Sequence, residues 1–168
     1  LASIAGFIVM LRGFFLTLFN FNTSTVIGGS KFKHVEFFQK KLNSTQIGTL
    51  EKHFTYYQKL PVKSKKVFES RVKKFCGLKK FQGKDGLVVT DEMRIFIGAA
   101  AVQLTFGLSD YRFLHFEIIE IYPEKFFSKR GKAYHLGETD PRGGASRFSW
   151  IDFVKGYAID DDNRNLGL

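Results

Sequence analysis

Hydrophobic positions are most continuous along this chain in one stretch, residues 87–108. Residues 87–89 form an apolar run rich in β-branched side chains, which predicts a short strand. Residues 93–106 are apolar almost throughout, and a helix that is apolar on all sides is buried. Thr90 precedes this run as a favourable N-cap. The pattern therefore predicts a strand followed by a central core helix.

Apolar residues at helical spacing predict two amphipathic helices before this core, over residues 45–59 and 64–77. Leu60-Pro61 is expected to separate them, because a residue before proline disfavours the helical conformation. Ser64 is the predicted N-cap of the second helix, and Gly77 is its predicted end.

Shorter alternating segments follow the core helix and predict strands. The first is 114–122, where a change of phase near Ile118-Ile119 suggests a bulge. The others are 133–138 and 145–148, and a helix over 150–157 follows them, capped by Ser149. Helices and strands in this order predict the α+β class.

The first 21 residues are mostly apolar and carry one charge, Arg12. A membrane span needs about 20 such residues, although an arginine near its middle is costly. Three interpretations stay open: a membrane anchor, a cleaved signal sequence, or an apolar segment packed on the domain or on a partner. Residues 22–44 then read as a linker and a basic juxtamembrane region, and residues 45–168 as the folded domain. If the first segment spans, the basic residues after it predict a cytoplasmic domain tethered to the inner face of the cell membrane.

Positive charge is concentrated in residues 31–80, which hold 14 Lys and Arg against three acidic residues, whereas the whole chain has a net charge of +10. A nucleic-acid surface, a solvated face and a face turned to lipid would all fit. We favour the last two and expect no nucleic-acid partner, because lysine dominates and no nucleic-acid motif is present. The lysines on the outer faces of the two predicted helices are Lys52, Lys59, Lys63, Lys65, Lys66, Lys73 and Lys74.

Motifs that carry chemistry are missing from the sequence. It has no phosphate-binding glycine loop and no Cys-x-x-Cys, and its four histidines do not show metal-ligand spacing. Cys76, the single cysteine, is expected to be a buried, reduced thiol. We therefore assign no catalytic, cofactor-binding or metal-binding residue.

Several segments nevertheless resemble the glucose-regulated zinc metallopeptidase family, the titration-factor-A type. The match is clearest in residues 86–93, GLVVTDEM, and 99–104, AAAVQL. Further matches follow in the family's order: 121–126, IYPEKF; 148–150, FSW, with Asp152 and Gly156; and 162–168, DNRNLGL. The resemblance covers roughly residues 50–168.

This resemblance implies a zincin-like α+β scaffold and, in the complete protein, zinc-dependent peptide hydrolysis of an aminopeptidase-like kind. In the family a His-Glu-x-x-His motif comes next after the segment that residues 162–168 resemble, and it supplies two zinc ligands and the general base. We therefore expect these 168 residues to be an inactive fragment that binds no zinc. The alternative is a non-catalytic module that binds a membrane or another protein.

In such scaffolds a peptide substrate commonly pairs with an edge strand before the zinc helix. The candidate strand residues are Ala145, Ser146, Arg147 and Phe148, or alternatively the strand at 133–138. Small residues at Gly98, Ala101 and Thr105 share one face of the core helix. We expect the zinc helix to pack on that face, which would be under-packed without it.

Overall fold

A computed structural model describes residues 41–158 of the chain. The predicted segment 1–21, most of the linker 22–44 and the resemblance at 162–168 lie outside the described residues. The helices of the described part are α1 (Ser44–His53), α2 (Thr55–Gln58), α3 (Val62–Leu78), α4 (Asp91–Leu104) and α5 (Trp150–Ala158). The strands are β1 (Lys80–Gly83), β2 (Ile118–Tyr122), β3 (Phe126–Ser128), β4 (Ala133–His135), β5 (Gly137–Asp140) and β6 (Ala145–Ser149). These elements confirm the α+β class.

Four of the strands form a mixed sheet in the order β1-β2-β6-β5. The strands β1, β2 and β6 run parallel, and β5 pairs with β6 in the antiparallel direction. The strands β3 and β4 form a separate antiparallel hairpin.

The two faces of the sheet differ because side chains alternate along each strand. Ile119 and Ile121 of β2 and Phe148 of β6 lie in the same hydrophobic core as α3 and α4. Glu120 and Arg147 are register partners on the opposite face. We call these two surfaces the helix face and the charged face of the sheet.

The predicted core helix is confirmed as α4. Its N-cap is Thr90, whose Oγ1 accepts a hydrogen bond from the Met93 amide at 3.2 Å. Every residue from 95 to 102 is buried, so the helix is enclosed on all sides. The Phe96 ring contacts aromatic rings of both α1 and α5, which ties the amino- and carboxyl-terminal helices of the described part to the core.

The predicted strand at residues 87–89 is wrong, and the strand before α4 is instead β1. The chain turns sharply after β1, where Asp85 and Gly86 both have positive φ. A Cβ on Gly83 would lie 1.8 Å from the Leu87 carbonyl oxygen, so the two backbone segments touch. Leu87 packs on the core while Val88 is 80% exposed. The apolar run thus covers the core as an extended segment without strand pairing.

The two predicted amphipathic helices are present with different boundaries. The first is divided at Phe54, whose backbone is extended with φ −123° and whose side chain is buried. The second begins after Pro61, and not after the predicted cap Ser64. Proline suits the first positions of a helix because it has no amide hydrogen to satisfy. The helix continues through Gly77 to Leu78.

The predicted strand at 114–122 is confirmed only in its second half, as β2, so its change of phase marks the beginning of the strand and not a bulge. The predicted strand at 133–138 is divided at Leu136 into β4 and β5, which belong to different sheets. The strand at 145–148 and the helix after it are confirmed. Ser149 Oγ lies 2.5 Å from Asp152 Oδ2 and 3.4 Å from the Asp152 amide, which caps α5.

The small-residue face of α4 is divided between two neighbours. Gly98 faces α3, because an added Cβ would lie 2.7 Å from Cys76 Sγ. The expectation that a zinc helix packs on Gly98 is therefore wrong, since α3 already fills that position. Ala101 does not face α3 in this way, and it lines a cavity between α4 and the sheet. Thr105 is buried and donates a hydrogen bond to the Ala101 carbonyl at 2.8 Å.

Candidate functional site

The first predicted substrate-strand residues, Ala145, Ser146, Arg147 and Phe148, all lie on β6. This strand pairs with β2 on one side and with β5 on the other. Both edges of its backbone are occupied, so a peptide strand cannot add to it in this arrangement. The structure therefore corrects this candidate.

The outer strand of the sheet on that side is β5. Within residues 41–158, its outer edge pairs with no other strand. The second predicted range, 133–138, contains the first two residues of β5. A short antiparallel edge strand of this kind has backbone groups that point away from the sheet and can pair with an extended peptide.

Register shows which residue of β5 presents those groups. The Ser149 amide donates to the Leu136 carbonyl at 2.8 Å, so these two residues form a hydrogen-bonded pair. Such pairs alternate along an antiparallel ladder, which makes Glu138 with Arg147 the next hydrogen-bonded pair. Asp140 with Ala145 is the hydrogen-bonded pair that follows. Thr139 lies between Glu138 and Asp140, and its N–H and C=O therefore point outward from the sheet.

A row of alternating charges crosses the charged face beside this edge. Lys84 Nζ lies 2.7 Å from Glu120 Oε1, and Arg147 Nε donates to Glu120 Oε2 at 2.6 Å. Arg147 Nη1 also donates to Glu138 Oε2 at 3.3 Å. We call Lys84, Glu120, Arg147 and Glu138 the charge row.

Glu120 and Arg147 of the charge row stay ionised near neutral pH. Burial raises the pKa of Glu120, but the hydrogen bonds from Lys84 and Arg147 outweigh it, so the pKa lies below its usual value. Burial lowers the pKa of Arg147, but the hydrogen bond to Glu120 outweighs burial. The pKa of Arg147 is therefore higher than its usual value. A carboxylate held in this way is a structural partner, because its pKa is moved away from the neutral range that suits a general acid or base.

The β3–β4 hairpin is attached to the charged face. Ser128 Oγ donates to Glu138 Oε1 at 2.8 Å, and the rings of Tyr122 and Phe126 stack with their centroids 4.4 Å apart. Arg130 and Asp140 form an exposed ion pair at 3.3 Å. The hairpin therefore supports β5 from one face and leaves its outer edge open.

A cavity of about 40 Å³ lies on the helix face, between α4 and the sheet. Its lining is mostly apolar and consists of Phe75, Lys79, Ile97, Ala100, Ala101, Leu104, Phe113, Phe116, Ile119, Ser146, Phe148 and Phe153. Ser146 Oγ is buried there and has no hydrogen-bond partner among the described residues. A buried hydroxyl without a partner is costly, so this wall is suited to a further polar contact.

Lys79 is the charged group of this cavity. Its Nζ donates to the Phe113 carbonyl at 2.6 Å, and burial lowers its pKa to about 8. The ammonium also lies 5.3 Å from the centroid of the Phe75 ring. The lysine thus closes one end of the cavity with a cation that is held by a carbonyl and an aromatic face.

The remaining reactive side chains do not form a catalytic group. Burial raises the pKa of Cys76 to about 12, and its Sγ lies 3.2 Å from the Arg94 carbonyl oxygen. A thiol in this setting is inert, which agrees with the predicted structural role. Among residues 41–158, no group of three His, Cys, Asp or Glu side chains could hold a metal ion. The described residues therefore do not form a zinc site. His34, one of the four histidines of the chain, lies outside the described residues.

The lysines predicted to lie on outer helix faces are largely exposed, on α1, directly after α2 and on α3. Lys52, Lys59, Lys63, Lys66 and Lys74 are exposed, whereas Lys65 and Lys73 are half-buried. Lys65 Nζ is held 2.9 Å from Glu51. The helices of the described range include none that is both long and apolar enough for a membrane span.

Comparison with known proteins defines the class. The family Glucose-regulated metallo-peptidase M90 matches residues 30–168. The chain therefore belongs to this metallopeptidase family, as the sequence resemblance indicated. No curated protein and no solved structure matches the chain.

Sequence reasoning missed the charge row, and it did not separate β5, whose outer edge is unpaired, from β6. A usable signal was present, because Glu120 stands alone among isoleucines and Arg147 lies inside a buried strand. Single charges in such strands call for a partner on a neighbouring strand. Their pairing could not be assigned without the strand order.

Proposed function

We propose that the complete protein is a zinc-dependent peptidase with aminopeptidase-like activity, built on a zincin-like scaffold. In this proposal the present chain supplies the part of the domain that comes before the metal ligands. Support comes from the family match, which runs to residue 168, and from the resemblance of residues 162–168 to the segment before the family's zinc motif.

The observation that carries the substrate-binding part of this proposal is the open antiparallel edge at β5. An extended peptide would pair its main chain with the outward N–H and C=O of Thr139. Backbone pairing supplies affinity that does not depend on sequence, which suits an enzyme that cleaves peptides. The charge row fixes β5 to β6 from one face, so this edge is held in place before a substrate arrives.

The cavity between α4 and the sheet supports the same proposal. Phe153 of α5 lines it, so the last described helix lies against this cavity. We propose that the zinc helix of the complete protein packs over this cavity, along Ala101 and Leu104 instead of along Gly98. Ser146 would then gain a neighbour for its buried hydroxyl.

The test is to express the gene product with the codons that follow Leu168. We expect one zinc ion per chain by elemental analysis and hydrolysis of aminopeptidase reporter peptides that stops after treatment with a chelator. A stop codon directly after Leu168, or activity that a chelator does not change, would contradict the proposal. A long product that binds peptides without zinc or cleavage would favour the non-catalytic module.

The edge is tested in the same protein by Thr139→Pro. Proline removes the outward amide and is tolerated on edge strands, so the β5–β6 ladder is retained. We expect kcat/KM to fall roughly tenfold, the equivalent of one lost main-chain hydrogen bond, while zinc content is unchanged. Thr139→Val is the control, because it keeps the amide and should leave kcat/KM within about twofold of wild type.

A further inference from the structure

The outer face of the β3–β4 hairpin carries two exposed aromatic side chains. Phe127 is 55% exposed and Tyr134 is 67% exposed. The two are register partners, and their rings meet edge to face with centroids 5.5 Å apart. Every other Phe, Tyr or Trp side chain of residues 41–158 is buried or half-buried, so these two rings stand out as a candidate interaction surface.

The hairpin presents these rings from a fixed position. Its inward residues, Phe126 and Ser128, contact Tyr122 and Glu138 of the sheet. Because side chains alternate along a strand, Phe127 and Tyr134 point away from the sheet. The surface is therefore separate from the β5 edge and from the cavity.

Three lysines belong to the same hairpin or flank it in the sequence. Lys125 Nζ lies 5.5 Å from the centroid of the Tyr134 ring, and Lys129 and Lys132 are exposed at the turn. Residues 124–134 hold one acid, Glu124 beside Lys125, against these three lysines, so the surface carries excess positive charge. Exposed aromatic rings bordered by lysines suit the headgroup region of an anionic membrane, where the rings enter the interface and the ammonium groups meet lipid phosphates.

We propose that this face, defined by Lys125, Phe127, Lys129, Lys132 and Tyr134, binds an anionic lipid surface. A single-stranded nucleic acid fits less well. Base stacking needs an open ring face, whereas Lys125 lies over the Tyr134 ring and the Phe127 ring is engaged with it. Insertion into a membrane interface needs only exposed apolar edges. The proposal does not depend on the peptidase activity.

The lipid contact is tested by flotation of the 168-residue chain with phosphatidylcholine vesicles, prepared with and without phosphatidylglycerol. We expect binding to increase with phosphatidylglycerol and to weaken at high salt. Phe127→Ser with Tyr134→Ser should lower the anionic-lipid partition coefficient roughly tenfold or more, because both rings lose their apolar contact. Val62→Ser with Val88→Ser is the matched control, since Val62 is 73% and Val88 is 80% exposed on other surfaces. Binding by the residues 1–21 segment would be common to all variants and would not require anionic lipid.

Charge reversal separates this face from the lysines of α3. Lys125→Glu with Lys129→Glu should reduce the anionic-lipid partition coefficient about tenfold, whereas Lys63→Glu with Lys66→Glu makes the same change of charge and should alter it less than about threefold. Glutamates at positions 63 and 66 also suit the beginning of a helix, so that control will fold. If the α3 pair has the larger effect, or if anionic lipid does not increase binding, the proposal is wrong.

The fluorescence of a Tyr134→Trp variant reports whether the rings insert into the membrane. The new indole should shift its emission to the blue and be quenched by brominated lipid when anionic vesicles are added, against the constant signal of Trp150. Emission that does not change on vesicle binding would exclude insertion of this face. If the wild type binds an oligonucleotide and the Phe127→Ser, Tyr134→Ser variant does not, the ligand of this face is a nucleic acid and the lipid proposal is wrong.

Discussion

The helix face and the charged face of the same sheet are stabilised in different ways. On the helix face, Ile121 is fully buried and Phe148 is 5% exposed, and both pack on the aromatic and aliphatic residues of the helices. On the charged face, Glu120 and Arg147 occupy alternate positions of the same two strands and form the charge row. Consecutive residues of one strand thus lie in opposite environments, one in the apolar core and the next among the ion pairs.

The comparison shows which face leaves room for function. The helix face depends on the fit between the sheet and α4, and a cavity lies in it beside Ala101. The charged face depends on a few paired groups, and it anchors the hairpin and β5 through Glu138. The proposed contacts of the protein, with peptide at β5 and with lipid at the hairpin, therefore lie on the elements that the charged face holds.

Removing apolar volume from the helix face should have the largest effect on stability. Ile121→Ala should lower the free energy of unfolding by about 3 kcal/mol, because it deletes a fully buried side chain and leaves a cavity. Ile118→Ala is the matched control on the charged face of the same strand, where the side chain is half-buried, and about 1 kcal/mol is expected. Urea unfolding of both variants measures the difference. Equal losses would show that the two faces are not distinct.

Breaking the charge row should have an intermediate effect. Arg147→Met keeps much of the side-chain volume but leaves Glu120 with Lys84 as its partner and removes the contact to Glu138. We expect a loss of about 2 kcal/mol at neutral pH, since a partly buried carboxylate loses a charged hydrogen-bond donor. Arg112→Met is the control, because Arg112 pairs with Asp110 at the surface and should contribute less than about 1 kcal/mol.

The pH dependence of this loss follows from Glu120. Its pKa is lower in the folded protein than in the unfolded chain, so the ion pair stabilises the fold above the ordinary pKa of glutamate. This stability is lost as the pH falls through the lower folded pKa. The difference between wild type and Arg147→Met should therefore shrink below about pH 4. A difference that stays constant down to pH 3, in chemical unfolding at each pH, would assign the effect to packing instead.

The core of the fold could be predicted from the sequence because local signals decide it. An apolar run of helical length with Thr90 before it specifies α4, and Pro61 specifies the break between α2 and α3. Residues 87–89 were misassigned because an extended apolar segment and a strand have the same pattern, and only the turn at Asp85-Gly86 separates them. The pattern carried no information about which strand would lie at the edge.

The candidate site was harder to predict for the same reason. An edge is a property of strand order, so the sequence offered both 145–148 and 133–138 as substrate strands and could not choose between them. The strand order leaves the outer edge of β5 open, and the second range contains the start of β5. The small-residue face of α4 was correctly found, but Gly98 and Ala101 have different neighbours. Helical spacing tells which residues share a face and does not tell which element covers each end of it.

A substitution at the contact between Gly98 and α3 should change the free energy of unfolding least. The sign of that change depends on whether Cys76 is present. Alanine is about 1 kcal/mol better than glycine inside a helix, yet its Cβ would lie 2.7 Å from Cys76 Sγ and 3.4 Å from Phe75 Cδ1. Gly98→Ala should therefore destabilise the protein by about 1 kcal/mol, because the strain exceeds the gain in helix propensity. In a Cys76→Ala background the sulfur is gone, and the same substitution should be neutral or stabilising. Thermal unfolding of the wild type, the two single variants and the double variant gives a double-mutant cycle, which measures the coupling between positions 98 and 76. An identical effect of Gly98→Ala in both backgrounds would show that the sulfur does not limit the approach of α3 to α4.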